Sequence, residues 1–174
     1  MKQKDFTPFS DLPEYRKGKA GEAILKADFE AKGFVVYTPT PGVSEPFDFM
    51  LYRSDCVYLA DIKTYNRLAT TPAISIDTAD LEKYIKVENR LNIKMLIFWV
   101  CTFEQAIFSS TLENFRNSCT KNQHTGKATI HLKHTKFMRW LNLEECREIG
   151  WPNGMYNGCS RYFDDNTALA QKPL

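Results

Sequence analysis

No stretch of this 174-residue chain is apolar for long enough to cross a bilayer. The longest strongly apolar run, Met95 to Cys101, falls well short of the ~20 residues a membrane helix needs. Cysteine is scarce and ill-spaced. The five thiols, Cys56, Cys101, Cys119, Cys146 and Cys159, are odd in number, and no two stand at CxxC spacing. That argues against a disulfide framework. The opening MKQKDFTPFSDLPEYRKGK lacks the apolar run of a secretory leader, so the expected setting is reducing and cytoplasmic, with free thiols. There is no internal repeat, no low-complexity segment and no GxxxxGK[ST] phosphate loop. Strong charge of one sign is missing too. The formal net charge of +2 permits a polyanionic partner without demanding one, and any binding surface must come from local clustering.

What is present reads as one globular α/β domain. Hydrophobic residues make up 43% and aromatics 13%, enough at this length to bury a core. Residues 1 to 17, with Pro8 and Pro13, read as a polar N-terminal arm. A helix is expected from about Lys19 to Lys32, closed by Gly33. Strands are expected at 34–38, 47–53 and 57–64, the last two joined by a hairpin at Ser54 and Asp55. A loop around Asn66 to Pro72 leads to a helix over 78–91, capped by Asp77 or Thr78. Strands follow at 94–101 and 105–112, then a strand at 127–135 and helical turns at 136–149. The last stretch, from Gly150, reads as loop and tail.

The stretch YLADIKTY (58–65) carries the chemistry. It has the apolar content of a buried strand, yet holds Asp61 and Lys63. Alternation puts both on one strand face with Val57 and Leu59, and sends Ala60, Ile62 and Thr64 to the other. Alone, such a pair is equally an ion pair on a half-exposed strand end. In FDFMLYR, Asp48 shares a face with Met50 and Tyr52, so the neighbouring strand supplies a second acid near its end. On the first helix, Glu22, Leu25 and Phe29 fall within roughly 60° of one another, which turns a third acid toward the sheet. Converging carboxylates repel, and each holds a proton unless a cation neutralises them. Mg²⁺ or Mn²⁺ suits such oxygen ligands. A bound metal with a lysine beside it is the outline of a phosphodiester hydrolysis site.

These residues and the order helix, three strands, helix, strand resemble the PD-(D/E)XK nuclease superfamily, with its restriction-endonuclease-like fold. The resemblance rests on Glu22 in GKAGEAIL, Asp48 in EPFDFML and Asp61-Ile62-Lys63 in YLADIKTY. It covers roughly residues 18 to 110, the nuclease-like core. Residues 111 to 174 would be a C-terminal extension packed on the same domain. The motif's proline is displaced, since Phe47 precedes Asp48 and Pro46 stands one position earlier. The resemblance implies a mixed central sheet flanked by helices. It implies that Asp48, Asp61 and the Ile62 carbonyl ligate Mg²⁺ or Mn²⁺, that Glu22 completes or orients that shell, and that Lys63 is the catalytic lysine. The implied activity is metal-dependent hydrolysis of DNA, and many members act as homodimers. Two alternatives stay open at this point: a module of the same fold without chemistry, and a nuclease acting on RNA.

Arg16, Lys17 and Lys19 precede Glu22 and are the candidate contacts to a nucleic-acid backbone. Lys83, Lys86 and Arg90 read as a solvated helix face, and Tyr84 as packing, although the family often places a polar residue there. His124, His131 and His134 lie close in sequence, but their spacing suits no standard zinc finger.

Overall fold

In the computed structural model, residues 12–40, 45–65 and 72–150 are described. Helix α1 (Pro13–Ala31) begins six residues before the expected start. Proline at the first helical position supplies a preset φ and lacks only an N–H that would be unpaired there anyway. Pro13 therefore opens the helix instead of blocking it, and the arm read over 1 to 17 gives up its last residues to α1. The far end is as expected. Gly33 has φ 79°, and the amides of Gly33 and Phe34 donate to the carbonyls of Glu30 and Phe29 at 2.9 and 3.0 Å. This glycine-dependent stop is completed by edge-on packing of Phe34 against Phe29, centroids 6.2 Å apart.

The chain continues through β1 (Val35–Tyr37), β2 (Phe49–Arg53), β3 (Cys56–Tyr65), β4 (Ala73–Asp77), α2 (Thr78–Leu91), β5 (Lys94–Cys101) and β6 (Ala106–Thr111). Then come α3 (Leu112–Ser118), β7 (Thr120–Asn122), β8 (Lys127–His131), a 3-10 turn (Leu132–His134), β9 (Lys136–Trp140) and α4 (Leu143–Glu148). The central sheet has the order β1-β2-β3-β5-β6-β9. Only β3 and β5 pair in parallel, because α2 lies between them in the chain and carries the crossover. The other neighbours in this sheet are antiparallel, so the sheet is mixed, as expected.

Each sheet face has its own core. On one side Phe29 of α1 meets Phe49 and Phe98 edge-on, with centroids 6.5 and 5.1 Å apart, above Ala60, Ile62 and Val100. On the other side Leu59, Ile97 and Trp99 face Leu81 and Tyr84 of α2. The second sheet, β4-β8-β7, presses Ile74, Ile76 and Ile130 into that same core. Trp99 stacks on Phe115 of α3 at 5.7 Å. The alternation read for YLADIKTY holds. Asp61 and Lys63 face the α2 side, and Ile62 faces α1.

Four local readings are corrected. β4 lies in a region read as leading straight from loop to helix. Its AISID sequence alternates, but it pairs only with β8, more than fifty residues later. The strand read over 127–135 stops at His131 and gives way to the 3-10 turn. The helical turns read over 136–149 hold for α4 alone, because KFMRW pairs with β6 as an outer strand. α3 and β7 were not foreseen. The tail after Gly150 and the loop over 66–71 lie outside the described residues.

Arg139 ties β9 to both neighbouring helices. Its guanidinium donates to Asp28 of α1 at 2.7 and 2.8 Å and to Glu145 of α4 at 2.8 and 2.6 Å. Glu145 also closes a capping box with Asn142.

Gly21 sets how closely α1 approaches β3. A Cβ there would overlap Thr64 Oγ1 and stand 3.2 Å from Thr64 Cβ. Gly21→Ala should therefore cost about 1–3 kcal/mol, read as a lower midpoint in urea. Adding Thr64→Ala should recover part of that loss. Additive losses would show that this contact does not set the spacing.

Candidate active site

The site is assembled at the ends of β2 and β3 next to the start of α2. The β2–β3 register pairs Phe49 with Ala60, so one further step sets Asp48 across from Asp61. Two hydrogen bonds hold that step in place. The Asp48 amide donates to the Ala60 carbonyl at 2.9 Å, and the Ile62 amide donates to Asp48 Oδ2 at 2.7 Å. Asp61 is buried, 5% exposed, between β2 and the apolar strand β5. Its Oδ2 accepts no hydrogen bond, though the Lys63 ammonium stands 3.2 Å from it.

Burial and then the charge of Asp61 push the Asp48 carboxyl up to about 7, with Glu22 adding to the shift and the Ile62 N–H and Lys63 opposing it. Burial likewise raises Asp61, against the pull of Lys63 and the polar influence of the Tyr84 hydroxyl. Desolvation by itself would lower Lys63. The surrounding carboxylates Asp61, Asp80 and Asp48 outweigh it, so its pKa is raised and it is an ammonium at neutral pH. A lowered pKa, which would let Lys63 carry a proton, is not what this environment produces.

Two further residues complete the arrangement. Asp80, in the first turn of α2, lies 3.6 Å from Lys63 Nζ and 3.1 Å from Lys83 Nζ. Lys63 is therefore shared between Asp61 and Asp80. Asp80 carries no sequence signal that sets it apart from any other acid in the first turn of a helix. Only the packing of α2 on the sheet brings it to Lys63. Tyr84, one turn on, is 2% exposed, and its hydroxyl is turned to the Asp61 carboxylate. Its ring lies 5.8 Å from Lys63 Nζ. Burial and the charge of Asp61 push its pKa far up, so it keeps its proton. It packs as expected and also lines the site.

Glu22 stands apart from this group. Its carboxylate is paired with Lys19 at 2.7 Å, and it reaches Asp48 only as a field. Among the described residues no three His, Cys, Asp or Glu side chains stand close enough to hold a metal ion. The four-residue constellation read from the sequence thus divides. Asp48, Asp61 and Lys63 come together on the α2 side, while Glu22 belongs to α1, the layer on the other side of the sheet. Of the basic residues on α1, Lys19 is committed to Glu22, and burial lowers Lys17.

A hard divalent cation suits what is present. Two carboxylates raised by burial, Asp48 also by the charge of Asp61, form an oxygen-rich pair that gains from positive charge. Asp48, Asp61 and the Ile62 carbonyl are the residues that would hold it.

No protein-family model matches the sequence, and no curated protein sequence matches it. Solved structures do. Hjc, a Holliday junction resolvase from the archaeal hyperthermophile Archaeoglobus fulgidus, is similar over 68% of this chain and 86% of its own, with 12% identity and a TM-score of 0.51. D212, a nuclease from a fusselovirus, is similar over 83% and 93%, with 15% identity and a TM-score of 0.47. The chain has the restriction-endonuclease-like fold, the fold of the PD-(D/E)XK nucleases. Among the described residues no helix is long and apolar enough to cross a membrane.

Asp48 links this site to pH. Its carboxyl is near 7 in the folded chain against 3.8 ordinarily. The folded state therefore holds more protons between those values, and stability falls as pH rises through that window. Asp48→Asn keeps an acceptor for the Ile62 amide and carries no charge. Without divalent cations, its melting temperature relative to wild type should climb from pH 5 to pH 8. A flat difference would mean that Asp48 titrates normally. The Lys63–Asp80 contact has its own check. A thermal-melt cycle of Lys63→Met, Asp80→Asn and the double variant should show a coupling of about 0.5–1 kcal/mol.

Proposed function

We propose that the chain is a metal-dependent nuclease that hydrolyses DNA phosphodiester bonds. The observation that carries this reading is the meeting of Asp48, Asp61 and Lys63 at adjoining strand ends, inside a fold shared with nucleases. Asp48 and Asp61, with the Ile62 carbonyl, would hold Mg²⁺ or Mn²⁺. Such an ion, when bound, lowers the pKa of a water and stabilises charge on a phosphoryl oxygen.

The chain's own groups do the rest. Lys63, a cation here, offsets the charge that builds on the phosphate oxygens as water oxygen bonds to phosphorus and the P–O bond to the leaving group breaks. Asp80 keeps its ammonium from collapsing fully onto Asp61. The Tyr84 hydroxyl, protonated and beside Asp61, is a donor for the same oxygens. Glu22, anchored by Lys19, adds outer negative charge that favours a cation at Asp48. Arg16, Lys17 and Lys19 bring positive charge to the α1 flank for the DNA backbone.

One arrangement favours a second reading, a nucleic-acid-binding module without chemistry: Lys63 already neutralises Asp61, and among the described residues no three-acid cluster forms. The two separate cleanly. For a nuclease, Mg²⁺ or Mn²⁺ raises the melting temperature and supports cleavage in a panel of duplex, single-stranded and branched DNA and of RNA. Asp61→Ala and Lys63→Ala should each lower the rate roughly 10²-fold or more. Cleavage that survives both substitutions would remove the proposed site. Binding without cleavage or metal stabilisation would favour the module.

A further inference from the structure

The chain's cations are unevenly compensated. Residues 114 to 143 contain no Asp or Glu, yet hold Arg116, Lys121, Lys127, Lys133, Lys136 and Arg139, together with all three histidines. The segment carries a formal +6 while the whole chain carries +2, so the remainder is net acidic. Outside the segment Lys19 sits on Glu22, Lys26 on Glu30, Lys63 on Asp61 and Lys83 on Asp80, and within it Arg139 is taken up by Asp28 and Glu145. Lys121 and Lys133 are exposed and make no ion pair among the described residues. Lys127 meets Asp77 at 2.9 Å, with both side chains about half exposed to solvent.

The fold brings this segment to the candidate active site. The turn of the β7–β8 hairpin is fastened to the start of α2. The Thr78 amide and hydroxyl both donate to the Gly126 carbonyl, at 2.8 and 3.0 Å. Asp80, which holds Lys63, lies two residues further along. Across the second sheet, Asn122, Lys127 and Asp77 form one row, and Thr120, Thr129 and Ser75 the next. These side chains alternate with the buried Ile74, Ile76, Ala128 and Ile130 and so turn outward. Ser75 bonds Tyr65 at 3.4 Å, and Tyr65 shares the β3 face of Asp61 and Lys63. Lys127 is one strand, roughly 5 Å, from Asp77. At the other end of β8, burial and then the neighbouring Lys133 and His134 lower the pKa of His131.

We propose that the outer face of the second sheet, which carries Lys127 and His131, together with the exposed Lys121 of the edge strand β7, His124 of the hairpin turn and Lys133 of the 3-10 turn, binds the sugar–phosphate backbone of duplex DNA beside the scissile bond. It rests on the reading of the chain as acting on DNA, and adds a binding surface on the flank opposite the α1 cations. Lysines supply charge to phosphates, while Thr120 and Thr129 supply short hydroxyl donors. A flat, hydroxyl-rich strand face lets a backbone approach closely.

The test is binding without chemistry. Fluorescence anisotropy on a labelled DNA duplex, in EDTA across a KCl series, compares three proteins. They are wild type, Lys121→Gln/Lys127→Gln/Lys133→Gln, and a charge-matched control, Lys26→Gln/Lys32→Gln/Lys86→Gln. The sheet variant should bind at least about tenfold more weakly at 0.1 M salt, and the slope of log K against log salt should shrink by about 2 to 3. The control should stay near wild type, and unchanged melting temperatures confirm folding. Equal losses in both variants, or none in the sheet variant, overturn the proposal. Equal or tighter binding of duplex RNA overturns the commitment to DNA, and no binding by wild type overturns the surface altogether. Failure of the nuclease reading shows separately: wild type binds DNA through this face but does not cut it when Mg²⁺ or Mn²⁺ is added.

Discussion

Two carboxylates held at the ends of neighbouring strands, Asp61 buried and Asp48 half-buried, organise this protein. Asp48 and Asp61 meet at the end of a sheet whose strands are otherwise apolar; burial raises both, and Asp48 is raised further by the charge of Asp61, Asp61 by that of Asp80. An arrangement that unfavourable persists only if something answers it. Here the answers are local and ordered: the Ile62 amide on Asp48, the Lys63 ammonium on Asp61, and Asp80 behind Lys63. The cost is modest while Lys63 stays in place, and a divalent cation would relieve it further. The strain of the site and its proposed chemistry are therefore the same property.

The layers around the sheet divide the work. On the α1 side the contacts are aromatic and close, centred on Phe29 and on the approach that Gly21 permits. The ion pairs of that layer, Lys19–Glu22, Lys26–Glu30 and Asp28–Arg139, lie away from the candidate active site. The α2 side carries the polar inventory. Tyr84 and Asp80 descend from the helix, and the second sheet docks beside them through Thr78 and Gly126. Arg139 fastens the far edge, joining β9, α1 and α4 through Asp28 and Glu145. Residues after β6 therefore complete the sheet and extend the surface next to the acids.

Local signals were legible wherever local physics decides. The glycine stop at Gly33, the hairpin at Ser54 and Asp55, the span of α2 and the apolar run of β5 all came out as read, because each depends on residues within a few positions of one another. β4 and β9 were not legible. AISID and KFMRW gain their strand character from partners far along the chain, β8 and β6, and no window of neighbouring residues contains those partners. Pro13 was misread for a different reason. Proline ends a helix in the interior but starts one at the first turn, and sequence alone does not say which applies.

The same boundary runs through the site. Alternation along YLADIKTY determined that Asp61 and Lys63 share a face and that Ile62 turns away, since side-chain direction in a strand follows from backbone geometry alone. The charges, the acid spacing and the acid-free segment from 114 to 143 are likewise properties of the chain as written. Tertiary structure decided which of these groups meet. It left Glu22 with Lys19 on α1, brought Asp80 and Tyr84 to Lys63, and raised Asp48 toward neutrality. Burial and Coulomb interaction depend on distance in space, and only the packed sheet sets those distances.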